Sequence, residues 1–322
     1  MQDGIGGSTP TKSTQCNRSS KKRCRSKLAP LLVATLALTM VVMETRGQRK
    51  IPDDNLAYPV LITLQNGTTG SGFYLNATSA IYFVTAKHVL FHTSGPSADQ
   101  LLAESADLLS YPKDPKDQNR ISLHLDLKTL ETANLIHPHK SSDVAIVKVF
   151  TITKREGAEF KVTTVPGVQM VSAAPSGLVG VGLDSVKKYD EVLIANDILV
   201  FGYPTSLGLK DIPQLDYSRP LLRTGIIAGK NDSLRSLILD CPIYPGNSGG
   251  PVLEIDDEGL QRHFKVVGII TQFVPVAEQW LNTTHGYTNT SIGNSGYAVA
   301  VPMDFVLDLI ADFEKPSSTP TP

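Results

Sequence analysis

Cysteine is scarce in this chain of 322 residues: there are three, and only Cys241 lies beyond an apolar run at residues 28–43, because Cys16 and Cys24 precede it. No disulfide can close within the part that follows that run. This excludes the cystine-stapled secreted scaffolds and leaves stability to a hydrophobic core, which the 41% hydrophobic content supports. Charge of one sign is lacking too. The formal net charge is −1, and residues 48–322 carry 22 Lys plus Arg against 29 Asp plus Glu, so no nucleic-acid partner is expected. Metal-ligand spacing is also missing. His137-Pro138-His139 has no third and fourth ligand at zinc spacing and reads as a surface loop, so neither metal nor cofactor is expected. Finally, no uncharged apolar run reaches the roughly 20 residues of a membrane-spanning helix.

The longest such run, Leu28 to Met43, has sixteen residues and follows Lys21, Lys22, Arg23, Arg25 and Lys27. Residues 1–47 therefore read as a basic n-region with an apolar signal segment, either cleaved after Gly47 or kept as an anchor through residues 28–43. Seven basic residues before the run against three just after it place the remainder outside the cytoplasm: periplasmic, secreted or membrane-anchored. Asn-X-Ser/Thr sequons at Asn66, Asn76, Asn231, Asn282 and Asn289 keep a glycosylated eukaryotic secretory protein open as an alternative.

The most informative segment is Gly246-Asn247-Ser248-Gly249-Gly250-Pro251-Val252. A serine hydroxyl needs a base to become nucleophilic, and the oxyanion it creates needs preorganised N–H donors. Gly246 allows a turn in which its own N–H and that of Ser248 point into one hole, while Gly249 and Gly250 keep the approach uncrowded. A base and an acid stand elsewhere. The β-prone run from Ala80 reaches His88 at its end, and Asp143 directly precedes the apolar run Val144-Ala145-Ile146-Val147. The order His88, Asp143, Ser248 is one of three known chain orders for such a triad.

With these residues the chain resembles the chymotrypsin-like serine proteases, and more closely the bacterial HtrA/Deg-type branch of trypsin-like peptidases. The resemblance is carried by Thr85-Ala86-Lys87-His88, Ser142-Asp143-Val144-Ala145-Ile146-Val147, residues 240–251, Gly70-Ser71-Gly72-Phe73, Gly202-Tyr203-Pro204, Thr224-Gly225-Ile226-Ile227 and Val267-Gly268-Ile269-Ile270. It implies an all-β, chymotrypsin-like double six-stranded antiparallel β-barrel with a C-terminal helix, and an endopeptidase acting on polypeptides. His88, Asp143 and Ser248 would be catalytic, and the N–H groups of Gly246 and Ser248 would form the oxyanion hole. Pro242 replaces the aspartate that binds Arg or Lys side chains, and Ile243, Phe273 and Gly296 would line a small or medium apolar pocket. Thr271 would donate a hydrogen bond to Asp143. Asn247 stands where the digestive enzymes carry the aspartate that pairs with a new N-terminus, so zymogen cleavage is not expected. No PDZ-sized region follows, so regulation by one is not expected either. The rival reading is a protease-fold binding or sensor protein whose cleft is filled by the 91–135 segment or by Phe273.

Residues 48–314 are expected to form the protease domain. Apolar runs with β-branched enrichment recur at about 58–64, 71–75, 80–85, 144–151, 159–165, 191–201, 222–228, 234–239, 264–274 and 296–301, and the boundary between barrels is placed near 165–190. Residues 91–135 match no strand signal and read as a polar loop or hairpin beside the cleft. A helix is expected from Met303 to Glu314, with Phe305, Val306, Leu309, Ile310 and Phe313 on one face. Residues 315–322 read as a disordered Pro/Ser/Thr tail.

Overall fold

The computed structural model describes residues 57–114, 116–117, 119–154, 160–205, 212–258 and 261–314. The expected signal or anchor segment at 1–47 and the tail at 315–322 lie outside them. Among the described residues no helix is long and apolar enough to cross a membrane.

The first half of the chain runs β1 (Pro59–Leu64), β2 (Thr69–Asn76), β3 (Ala80–Thr85), α1 (Lys87–Leu90), β4 (Ser105–Ser110), β5 (Ile121–Asp126), α2 (Leu127–Thr132), β6 (Ile136–Pro138), β7 (Ala145–Lys154), β8 (Phe160–Thr164), β9 (Val168–Ser172) and β10 (Val181–Gly182). These strands build one sheet in the order β6-β7-β3-β2-β1-β4-β5-β9, with β8 added to β7 and β10 to β2. β3 is buried on both sides, which suits its run of apolar, aromatic and β-branched residues. Ile81 and Phe83 point into the first core, while Tyr82, on the opposite face, meets Phe313 edge-on at 5.6 Å.

The second half contributes β11 (Asp197–Gly202), β12 (Leu221–Asn231), β13 (Ser236–Asp240), β14 (Pro251–Glu258), β15 (Gln261–Asn282) and β16 (Tyr287–Pro302), closed as a barrel in the order β11-β12-β13-β16-β15-β14. The second barrel thus has the six strands expected. The first sheet curls around its core but stays open, because β9 pairs with the edge of β5 that closure would need. Beside β14, Lys187 bridges Glu254 at 2.9 Å and Asp256 at 2.7 Å, and Asn196 and the Leu193 N–H donate to Glu254 at 2.7 and 3.1 Å. A carboxylate as deeply buried as Glu254 is tolerable only with that many partners.

The 91–135 segment corrects the sequence reading. It supplies β4, β5 and α2, and Leu108, Leu123, Leu125, Leu127 and Leu130 are fully buried in the first core. Residues 105–132 thus belong largely to the first sheet and its helix, while Thr93, ahead of β4, lines a cavity beside His88. Helix α3 (Asp304–Glu314) packs back on the first sheet as expected, burying Val306 and Ile310, worth about 1.5–3 kcal/mol each, with Phe313 against His137 at 4.8 Å.

Candidate active site

β3 delivers His88. The strand ends at Thr85, and the single turn α1 follows at once, its Val89 and Leu90 buried in the first core so that the turn cannot rotate. His88 is left about one-third exposed, at the mouth of a cavity of about 540 Å³ lined also by Thr93, Lys140, Asp143, Thr271 and Gln272. Lys87 lines the same cavity, paired with Asp99 and donating to the His139 carbonyl at 3.1 Å.

Asp143 sits in the loop between β6 and β7, and that loop is tied from within. His139 Nδ1 accepts the N–H groups of Ser141 at 3.2 Å and Ser142 at 3.0 Å, and the His139 N–H donates to the Val144 carbonyl at 2.8 Å. A nitrogen accepting two N–H bonds must be unprotonated. Burial, the largest influence, holds the His139 pKa below the usual imidazole value, with Asp308 and Asp312 opposing and Lys87 and Lys140 assisting. The ring also meets Phe305 of α3 edge-on at 5.1 Å. His139 is therefore an internal brace of the Asp143 loop.

Asp143 grips His88 at two points. Its Oδ2 lies 2.7 Å from His88 Nδ1, and its Oδ1 accepts the His88 backbone N–H at 3.0 Å. A carboxylate accepts only, so the neutral ring carries its proton on Nδ1 and leaves Nε2 with a free lone pair.

Ser248 lies in the turn between β13 and β14, pinned from both sides. Its carbonyl accepts the Ser71 N–H at 2.8 Å, and the next residue, Gly249, donates to the Ile270 carbonyl at 2.7 Å. Gly249 has φ +88°, and a Cβ there would lie 2.2 Å from Thr85 Oγ1 and 3.0 Å from the Ala86 nitrogen. That close approach needs glycine, and it sets Ser248 alongside the turn that carries His88.

Two peptide planes set the direction of the Gly246 and Ser248 N–H groups. The Pro245 carbonyl accepts the Thr205 N–H at 2.8 Å, and the Asn247 carbonyl accepts the Gly250 N–H at 2.9 Å. In a trans peptide the N–H points opposite its carbonyl, so the N–H groups of Gly246 and Ser248 both turn away from these anchors. Among the described residues neither has a protein acceptor. Gly246 has φ +98°, with Tyr203 O only 2.2 Å from where a Cβ would stand. The fully buried Ser71 holds the turn, donating to the Gly246 carbonyl at 2.6 Å and accepting from the Tyr203 N–H at 2.9 Å. Asn247 is buried as well, its Oδ1 accepting the Tyr244 N–H at 3.1 Å.

This arrangement of His, Asp and Ser between an open sheet and a closed barrel agrees with a sequence match to the trypsin-like peptidase domain over residues 70–269. The chain belongs to the trypsin-like peptidase family. Among solved structures, Deg5 is 16% identical over 85% of this chain and 92% of its own, with a TM-score of 0.44. The HtrA-type protease AlgW, solved with a tripeptide, is 16% identical over 80% of this chain and 59% of its own, with a TM-score of 0.41. Human heparin binding protein is 13% identical over 85% and 99%, with a TM-score of 0.47. No curated protein matches the chain.

The residues expected to line a substrate pocket lie in different surroundings. Ile243 is buried in the second core with Phe273 packed against the same cluster, Pro242 is half-buried, and Gly296, φ +89°, has open space beyond its Cα. Thr271 departs from expectation. It is the extra residue of a β-bulge between Ile270 and Gln272, which turns its hydroxyl to the Val299 carbonyl at 3.2 Å. Its single proton is used there and is not given to Asp143. Cys241 is fully buried and its thiol is pushed up to about 11 by that burial, so it supplies no competing nucleophile. Sequence reasoning did not single out Ser71 as a positioning residue, His139 as a brace, or Asn294, whose Nδ2 donates to the Ile243 carbonyl at 2.5 Å.

Proposed function

We propose that the chain is an exported serine endopeptidase in which Ser248 attacks the peptide carbonyl, His88 takes its proton through Nε2, and an acyl-enzyme forms and is then hydrolysed. Asp143 keeps His88 in the required tautomer and stabilises the imidazolium, while the Gly246 and Ser248 N–H groups receive the oxyanion. His88 then returns the proton to the leaving amine, and no step calls for a cofactor. The reading is supported by one combination: a histidine whose Nδ1 is committed to a carboxylate, on a turn that follows the strand end packed against Gly249, and a serine turn whose two N–H groups have no acceptor among the described residues. The rival of a filled cleft is narrowed, because residues 105–132 belong to the first sheet and its helix, while Thr93 in the preceding stretch lines the cavity with His88. Export rests on the basic and apolar segment within residues 1–47. Labelling with a fluorophosphonate decides the matter: the parent is expected to label at one serine and Ser248→Ala not at all. Equal labelling of both would refute Ser248 as the nucleophile.

A further inference from the structure

β15 and β16 do not stop at the rim of the barrel. From Pro275 opposite Asn294 to Asn282 opposite Tyr287 they pair only with each other, as a two-stranded ribbon reaching roughly 25 Å outward at about 3.4 Å per residue. Such hairpins are marginal in water unless something covers them. This one exposes Val276, Trp280, Leu281, Tyr287 and Ile292, each more than two-fifths accessible. Strand alternation puts Val276, Trp280 and Tyr287 on one face and Leu281 and Ile292 on the other. Between Pro275 and Asn294 the only charged side chain besides His285 is Glu278.

The ribbon is joined to the serine turn in two ways. Asn294 at its base donates to the carbonyl of Ile243, five residues before Ser248. The edge of β15 that pairs with β14 up to Ile269 passes at Ile270 to Gly249 and Gly250, at 2.7 and 2.9 Å. From Thr271 onward no strand among the described residues occupies that edge. One open surface therefore runs from Ser248 along Thr271 and Phe273 onto the ribbon.

We propose that the ribbon is a docking arm for an extended, apolar-rich stretch of the polypeptide substrate flanking the bond to be cut. The inference rests on the peptidase reading of Ser248. Continuity with the serine turn and the near absence of charge favour this occupant. Pro275 has no N–H to give to a ladder, and beyond it the arm holds its ligand through the side chains of one face, Val276, Trp280 and Tyr287.

Trp280 is the single tryptophan of the chain and reports directly on the arm. The full chain carrying Ser248→Ala is titrated with two peptides: one with four residues on each side of an aliphatic cleavage site, the other with ten further residues, rich in Leu and Val, on each flank. The long peptide is expected to shift Trp280 emission to the blue and to bind at least about tenfold more tightly than the short one, about 1.4 kcal/mol. In the active enzyme the long-to-short ratio of kcat/KM should be of the same order. It should fall toward one in the double variant Val276→Ser, Trp280→Ser and in a variant joining Pro275 to Asn294 through Asn-Gly. Equal affinities, or unchanged Trp280 emission, would overturn the arm. So would a blue shift driven by protein concentration alone with a dimer in sedimentation, which would make a second copy the occupant. Failure to cleave either peptide together with failure to label Ser248 would refute the peptidase reading instead, and the Trp280 titration would still decide the arm.

Discussion

The Ser71 hydroxyl donates to the Gly246 carbonyl at 2.6 Å, a contact spanning 175 residues of sequence and reaching from β2 of the first sheet into the serine turn of the second. With the Ser71 N–H on the Ser248 carbonyl and the Tyr203 N–H on the Ser71 hydroxyl, one small buried residue orients the serine turn. In the proposed mechanism the first sheet would therefore bring the base and also fix the place where negative charge is received.

Ser71→Ala should accordingly damage catalysis more than binding. Losing the hydroxyl leaves the Gly246 carbonyl and the Tyr203 N–H without their partner, a cost of about 1–3 kcal/mol for each unsatisfied buried group. A loss of oxyanion alignment appears in kcat, with KM nearly constant. Thermal unfolding and steady-state kinetics on one preparation check this. A lowered Tm with unchanged kcat would reduce Ser71 to a structural role.

Asp143→Asn should keep the fold and lower kcat by about four orders of magnitude. The present carboxylate accepts from His88 at both oxygens, so an amide must turn its NH2 toward one of the two donors. Facing the ring, it forces the proton onto Nε2, where it blocks transfer from Ser248; facing the backbone N–H, it sets donor against donor. Ser248→Ala and His88→Ala should each remove nearly all activity, and the double variant should be scarcely worse, since the residues act as a unit. Losses that multiply would contradict the shared mechanism.

The parts of this structure legible in sequence are those written in short stretches. Each of the ten apolar runs contains a strand, the one at 191–201 only from Asp197, and the helix from Asp304 to Glu314 buries Val306 and Ile310 of the expected face, with Phe305, Leu309 and Phe313 half-buried. β4 and β5 were read as no more than a polar loop or hairpin although Ile121–Asp126 alternates buried and less buried residues, because their core is mostly leucine interleaved with Asp107, Ser122 and His124, with Ile121 the one β-branched member. The ribbon was missed because Thr, Asn, Ser and Gly dominate residues 288–296 and spell a loop. Ser71, His139 and Asn294 act on residues far along the chain or through one ring nitrogen, and no local pattern encodes that. Thr271 shows the converse: a family position predicted its neighbour, and a bulge redirected it.

Cleavage should follow small or medium aliphatic residues such as Ala, Val or Leu. Pro242 and Ile243 place no carboxylate where a cation would be buried, and an unpaired guanidinium in an apolar pocket is costly. A peptide library should rank Leu or Val at least about tenfold above Arg in kcat/KM, a difference of about 1.4 kcal/mol. A profile led by Arg and Lys would end this assignment of Pro242, Ile243, Phe273 and Gly296.

Acid should loosen the Asp143 loop through His139. Its folded pKa lies below the unfolded value of 6.5, chiefly from burial, so the unfolded chain takes the proton first. The contribution to stability is therefore full above about pH 6.5 and is lost as pH falls through the lower folded value. Protonated Nδ1 would confront the Ser141 and Ser142 N–H groups as a third donor, and the loop holding Asp143 would have to move. In His139→Asn the amide oxygen takes the place of Nδ1 as an acceptor that does not titrate. Thermal melts from pH 7.5 to 5 should show a smaller fall in Tm for His139→Asn than for the parent, while a fall of equal size in both would assign the acid sensitivity to other groups.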